Sequence, residues 1–261
     1  MQISLKGKRA LVGGSSRGIG KAIAEQLAAS GASVTLMARS EDQLKSIAAG
    51  LTPNDGPPHN YLVVDFTDFD NYKNIISKYF EAHKVDILVN NTQGPAPGNA
   101  LEKNIADYQE AFDLLFKTIV FTTQLALKNM MQNKWGRIIN VASVSVKEPL
   151  GYLALSNTVR AAVVTWAKSL ATDVARDKIT VNNILTGYFD TERISELNKK
   201  KAEQMGISVD QVRKAMEEQV PVKRIGDPKE YGYLIAFLAS EKASYITGIN
   251  IPIDGGLLKS L

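Results

Sequence analysis

The chain has 261 residues, 44% of them apolar and 22% charged, with a formal net charge of +4. That balance suits one α/β domain with a large core, 1–261, and the mild charge argues against a nucleic-acid partner, which would want a concentrated basic face. The absence of cysteine excludes disulfides and thiol chemistry, and with no apolar run of membrane-spanning length and no secretory segment in MQISLKGKRALVGG, a cytoplasmic protein with no membrane partner is expected.

Short β-branched runs alternate with helical patterns along the chain. RALVGG predicts a strand, followed by a helix from about Ile19 to Ser30. SVTLMAR precedes a helix from about Glu41, and NYLVVDF precedes one around Asn71–Ala82. VDILVNN leads to a long helical stretch, Ile105–Gln132. GRIINVAS leads to the helix containing LALSNTVRAAV, then ITVNNIL follows, and GINIPIDGG supplies a last strand. Strands alternating with helices predict a doubly wound parallel sheet, a Rossmann fold with helices on both faces. In GDPKE, Asp227 is placed to cap a helix with Pro228 at its first position and Glu230 at capping-box spacing.

His59 and His83 sit in polar stretches and read as surface residues; no HExxH pattern is present, so no metal is expected. The basic run Asn198–Lys201 reads as a solvated helix face, or as a contact for an acidic substrate or carrier. FDLLFKTIVFTTQLAL and AAVVTWAKSLATDV carry more apolar surface than one sheet face covers. A homo-oligomer, dimer or tetramer, is expected on these helices.

The first turn is VGGSSRGIG, between a predicted strand and a predicted helix. Its residues Gly14, Ser16, Arg17, Gly18, Ile19 and Gly20 permit close backbone approach to a pyrophosphate at a helix N-terminus. An NAD site usually ends its second strand in an acidic residue roughly 20 residues on. Here that place holds Arg39 and Ser40. Two guanidinium groups, Arg17 and Arg39, favour a 2′-phosphate, so NADP(H) is the expected cofactor.

With these motifs in order, the sequence resembles the short-chain dehydrogenase/reductase family over nearly its whole length. GGSSRGIG resembles the family's glycine motif, with Gly13 where threonine is usual. VVDFTD is similar to the adenine-contacting segment, which implies Asp65 and Phe66 at the adenine. ILVNNTQG is similar to the Asn-Asn-Ala-Gly element and implies Asn91 at the cofactor, although Thr92 and Gln93 depart from it. TVNNILTG resembles the following strand, with Thr186 where proline is usual; it brings in Gly187, and Thr191 falls where the family holds the nicotinamide carboxamide. A substrate lid is expected around 188–220.

The resemblance makes Ser143 the catalytic serine. The family's tyrosine and lysine then fall on Ser156 and Arg160, and the family's asparagine on Leu115. A serine hydroxyl is a poor acid, and arginine is effectively always protonated. Arg160 can still anchor the nicotinamide ribose and stabilise an oxyanion. Tyr152, four residues before Ser156, would share a face with Ser156 and Arg160 if the helix already includes it. Tyr188 is a second tyrosine in reach, and Lys147 reads as solvent-facing. Three readings follow. One is an NADPH-dependent oxidoreductase acting on a small-molecule carbonyl or activated double bond, such as a 3-oxoacyl thioester, with an atypical proton donor. The second is a non-catalytic NADP-binding protein or sensor. The third is a different reaction, dehydration or isomerisation, on the same scaffold.

Overall fold

Seven apolar runs pair into one parallel sheet in the computed structural model, which describes residues 2–260. The strands are β1 (Arg9–Gly13), β2 (Ser33–Ala38), β3 (Asn60–Val63), β4 (Ile87–Asn90), β5 (Gly136–Val141), β6 (Ile179–Thr186) and β7 (Asn250–Ile253), in the order β3-β2-β1-β4-β5-β6-β7. From the β3 edge the chain returns through α3 (Phe69–Ala82) to lay β4 beside β1. The strand order therefore reverses between β1 and β4, and the crevice beyond their C-terminal ends is where a doubly wound sheet binds ligands.

One face is covered by α1 (Gly18–Ala29), α2 (Glu41–Gly50) and α9 (Pro228–Ala239), which bury Ile23, Leu27, Leu44, Tyr231 and Ile235. The other is covered by α3, α5 (Thr118–Gln132) and α6 (Ala154–Val174), around Tyr72, Ile76, Met130 and Val159. Central strands β1, β2 and β5 are buried nearly throughout, as strands covered on both faces must be. The helix start at 227–230 forms as its sequence predicts. Asp227 accepts from the Lys229 N–H at 2.9 Å and Glu230 accepts from the Asp227 N–H at 2.8 Å.

The stretch expected as one helix is continuous but interrupted. After α4 (Ile105–Phe112) a π-helical turn spans Asp113–Lys117 before α5 begins. The Thr118 hydroxyl donates to the Leu114 carbonyl at 2.5 Å, taking up an acceptor that the wider turn displaces. Leu115, at the family's asparagine position, is fully buried inside this turn. The surplus apolar surface sits unevenly. Ile105, Phe112 and Met131 on α4 and α5 are exposed, whereas α6 exposes no large apolar side chain. On α6 the outward positions hold shorter or polar residues instead, with Thr165 exposed and Ala161 and Ala162 half-buried.

Residues 188–220 form a helix pair, α7 (Glu192–Met205) and α8 (Val209–Gln219). Lys199, Lys200 and Lys201 lie on the solvent side of α7. His83 is exposed and stacks on Tyr79, but His59 is half-buried. Its Nδ1 accepts from the Val34 N–H at 3.1 Å and its Nε2 lies 2.7 Å from the Thr52 carbonyl, so it ties the 52–60 loop to β2. No helix among the described residues is long and apolar enough to cross a membrane.

Candidate active site

The glycine turn leads from β1 into α1 at the β1–β4 crevice. Gly13, which departs from the family's threonine, is explained by close approach. A Cβ there would fall 2.3 Å from the Asn91 carbonyl oxygen. Asn91 binds the turn in return, donating from Nδ2 to the Gly13 carbonyl at 3.0 Å. Gly18 has φ +54, and a Cβ on it would meet the Thr191 methyl at 3.2 Å. Thr191 therefore stands directly over the turn. It caps α7, accepting from the Ile194 N–H at 3.4 Å. Gly187 is fixed at the end of β6 by its N–H bond to Ile253, 3.1 Å.

Helix α1 is uncapped by any side chain, and its first turn holds no acid. By contrast, α3, α4, α8 and α9 each carry a capping side chain of their own. The free N–H groups of α1 around Ser16, Gly18, Ile19 and Gly20 therefore face the crevice with the positive end of the helix dipole, a donor set that suits a pyrophosphate. Arg39 is exposed at the end of β2, and among the described residues no carboxylate pairs with it. Ser40 begins α2 without committing its side chain to the cap. Arg17 donates to Glu196 of α7 at 3.4 Å, with both side chains about half exposed. Asp65 lies near Arg39. Burial disfavours its charge, but the Thr67 N–H and hydroxyl and the Arg39 cation outweigh that and hold its carboxyl below the ordinary value. The Phe66 side chain is buried against Tyr72, with ring centroids 5.3 Å apart, so only its backbone is available to a ligand.

Ser143 follows the end of β5 and begins a single 3-10 turn, Val144–Val146, where its Oγ accepts from the Ser145 N–H at 3.1 Å. Ser156 and Arg160 lie one turn apart on α6. Arg160 donates from Nε to Ser156 Oγ at 3.2 Å and from a terminal nitrogen to the Val141 carbonyl at 2.5 Å. The guanidinium is turned inward, and burial pushes its pKa down from the ordinary value. Among the described residues no carboxylate neutralises it. The site thus holds a fixed, uncompensated cation between Ser156 and the end of β5.

Helix α6 begins at Ala154 behind a Leu153 cap, so Tyr152 lies outside it and the shared helical face does not include that residue. Tyr152 instead lies in a turn, and Leu153 after it forms an isolated parallel bridge with Gly98. The Gly98 N–H donates to the Tyr152 carbonyl at 2.8 Å, and the Ala154 N–H to the Gly98 carbonyl at 3.1 Å. This pairing gives the backbone a partner that a further helical turn would have removed. The Tyr152 side chain is 51% exposed and neighbours Tyr188; partial burial raises the pKa of both phenols, and the Tyr152 charge raises that of Tyr188 further. Lys147 is exposed.

Thr186, noted in the sequence as a departure from proline, and Tyr231, which sequence reasoning did not single out, complete the surroundings. The Thr186 hydroxyl, present because proline is absent there, pairs with the Tyr231 hydroxyl at 3.0 Å. Tyr231 is fully buried on α9, which raises its pKa, while the nearby Arg160 charge acts in the opposite direction. The departure from proline at Thr186 is the signal that could have pointed to a polar partner.

Comparison with known proteins identifies the family. The family model described as enoyl-(acyl carrier protein) reductase matches residues 14–258. The chain belongs to the short-chain dehydrogenase/reductase family of oxidoreductases. It is 30% identical to the 3-oxoacyl-[acyl-carrier-protein] reductase FabG of Aquifex aeolicus, over 98% of this chain and 100% of that one. It is 32% identical to the NADPH-dependent reductase BacG of Bacillus subtilis, over 97% and 99% of the two chains. Among solved structures, the L-sorbose reductase of Gluconobacter frateurii complexed with NADPH and L-sorbose superimposes with a TM-score of 0.92 at 31% identity, covering 100% of both chains. YwfH, an NADPH-dependent reductase involved in bacilysin biosynthesis, does so at 0.90 and 31%, over 97% of this chain and 99% of that one.

Proposed function

We propose that the chain is an NADPH-dependent reductase of a conjugated carbonyl compound, such as an α,β-unsaturated ketone or acyl thioester. The observation that carries this reading is the Arg160–Ser156 pair: Ser156 stands where the family's acid would be, and Arg160 beside it is a cation with no carboxylate partner among the described residues.

The uncapped start of α1 would hold the pyrophosphate, with Gly14, Ser16, Gly18, Ile19 and Gly20 giving it room and N–H donors. Arg17, Arg39 and Ser40 would take the 2′-phosphate, and Asp65 with the Phe66 backbone the adenine. Asn91, Gly187, Thr191 and Arg160 would hold the nicotinamide end. Bound NADPH supplies a hydride; the chain's own residues supply position and charge. Reduction of an isolated ketone creates a strongly basic alkoxide that needs a proton at oxygen, and neither Ser156 nor Arg160 is an acid for that purpose. Addition at the β-carbon of a conjugated carbonyl moves the double-bond electron pair toward oxygen as an enolate. Its oxygen needs donors and a positive charge, and its proton arrives from water at the α-carbon. Ser143 and Ser156 can hydrogen-bond that oxygen while Arg160 neutralises it without losing a proton. The pair 188–220 would close over the substrate as a lid, and the exposed apolar residues of α4 and α5 would be covered in a dimer or tetramer.

The test is NADPH oxidation by the purified protein on matched enones, enoyl thioesters, ketones and a 3-oxoacyl thioester. Turnover of conjugated compounds in deuterated water should place deuterium at the α-carbon. Turnover of ketones alone would overturn the reading and move the acid to Tyr152 or Tyr188. NADPH binding without turnover on any compound would favour a sensor.

A further inference from the structure

Glu148 lies between the Ser143 turn and α6, and neither the nucleotide site nor the Arg160 pair uses it. One oxygen of its carboxylate accepts from the N–H groups of both Lys259 and Ser260, each at 2.8 Å. Those donors end a strap that begins where β7 stops. Asp254 folds the strap back, accepting from the Gly256 and Leu258 N–H groups at 2.9 Å each. Leu257 and Leu258 then pack with Val146 and Val164 against Ala142, Val144 and Leu185. Ala142 and Val144 flank Ser143 directly. The serine turn is thus clamped between α6 and the strap, and Glu148 fastens the strap at Lys259 and Ser260.

We propose that Glu148 is a positioning residue, latching the C-terminal strap against the Ser143 turn and so fixing Ser143 Oγ toward the substrate oxygen. The proposal rests on the reading above that Ser143 touches substrate. A carboxylate accepting two N–H groups makes charge-assisted bonds, stronger than neutral ones. The same two N–H groups hold the Glu148 carboxyl below its ordinary pKa.

The experiment compares the full chain with Glu148→Ala, Glu148→Gln and a chain ending at Leu258, by amide hydrogen exchange, NADPH affinity and turnover. Exchange in Glu148→Ala should quicken about tenfold at 144–147 and 257–260, the loss expected for one charge-assisted pair. Glu148→Gln should keep most of the protection, because its amide oxygen still accepts both N–H groups. NADPH affinity should be unchanged in all variants. The kcat should fall about tenfold in Glu148→Ala and in the shortened chain, and the two changes combined should cost no more than either alone. Unchanged exchange at 144–147 in Glu148→Ala, additive losses, or a Glu148→Gln protein as damaged as Glu148→Ala would overturn the latch. If the exchange result holds while the native protein reduces no compound, the latch stands and the proposed reaction fails.

Discussion

Asn140 of β5 donates its side-chain amide to Asn183 of β6 at 2.9 Å, and the two residues face each other in register. The bond is one rung of a ladder. Asn90 donates to Asn140 at 2.8 Å and to Thr123 at 3.1 Å, and Asn183 donates to Asn250 at 2.9 Å. Asn90, Asn140 and Asn183 are buried, whereas Asn250 is exposed. Slipping any of these parallel strands by one residue would turn its asparagine to the other face and orphan its neighbours. Asn140→Ala strands both a donor and an acceptor in the core, each costing about 1–3 kcal/mol. Thermal unfolding should show a fall of several degrees for Asn140→Ala and a much smaller one for Asn250→Ala. Equal losses at the two positions would mean that the ladder does not set the register.

Cofactor preference follows from Arg39. Its guanidinium has no carboxylate partner among the described residues, while Arg17 is shared with Glu196. Arg39→Asp should weaken NADPH binding about 10- to 100-fold, the range set by charge-assisted bonds of about 1.5–3 kcal/mol, and should leave NADH little changed. Fluorescence titration of both nucleotides checks this, and equal native affinities would remove the assignment.

The start of α9 gives a pH prediction. Arg224 holds Glu230 through two bonds of 2.7 and 2.6 Å, and the Asp227 N–H adds a third. Together they bring the Glu230 carboxyl down to about 2 from an ordinary 4.5. A depressed carboxyl contributes its stability fully above the ordinary value and loses it as pH falls from there through about 2. Because both side chains are well exposed, solvent screening keeps the electrostatic part small. Glu230→Gln should cost about 1 kcal/mol at neutral pH, as lost capping partners do, or roughly 2–4 °C. Below pH 4.5 the variant and native curves should converge; curves that stay parallel would assign the cost to packing.

Local rules made much of this molecule legible. Alternating strand and helix patterns placed all seven strands, and capping chemistry placed the start of α9 at Asp227. The glycine turn was readable because its spacing is itself the mechanism. Features set by partners distant in the chain were not readable. The asparagines of the ladder look like ordinary polar residues until the strand register aligns them. Tyr152 has helical spacing from Ser156, which would have put both on one face had the helix included it, but Gly98, far away in sequence, pairs with the turn before the helix and α6 begins only at Ala154. Phe66 matched an adenine-contacting motif, yet its ring is claimed by Tyr72. The π-helical turn at Asp113–Lys117 leaves no periodicity signal, since it shifts the helical register by a single residue.

The last prediction concerns the shorter side chain that Ser156 places beside Arg160. A tyrosine at 156 would project past the 3.2 Å contact that now joins Arg160 Nε to Ser156 Oγ. It would fill the room proposed for a conjugated substrate. A lysine at 160 would keep a charge but lose the planar fork that reaches both Ser156 and the Val141 carbonyl. Ser156→Tyr combined with Arg160→Lys restores the family's acid and its ribose anchor at one stroke. If the native site stabilises an enolate by charge, the double variant should lose at least about tenfold in conjugated reduction, the value of one charge-assisted bond. Any activity it gains should be toward ketones, because an acid now stands at the carbonyl oxygen. Arg160→Ala should weaken NADPH binding and abolish turnover if Arg160 is the ribose anchor proposed above, since that anchor and the cation then disappear together. Steady-state kinetics on paired enone and ketone substrates distinguishes these outcomes. A double variant that reduces enones as well as the native protein would show that neither the shorter side chain nor the fixed cation matters. Tyr152 and Tyr188 would then become the residues to replace next.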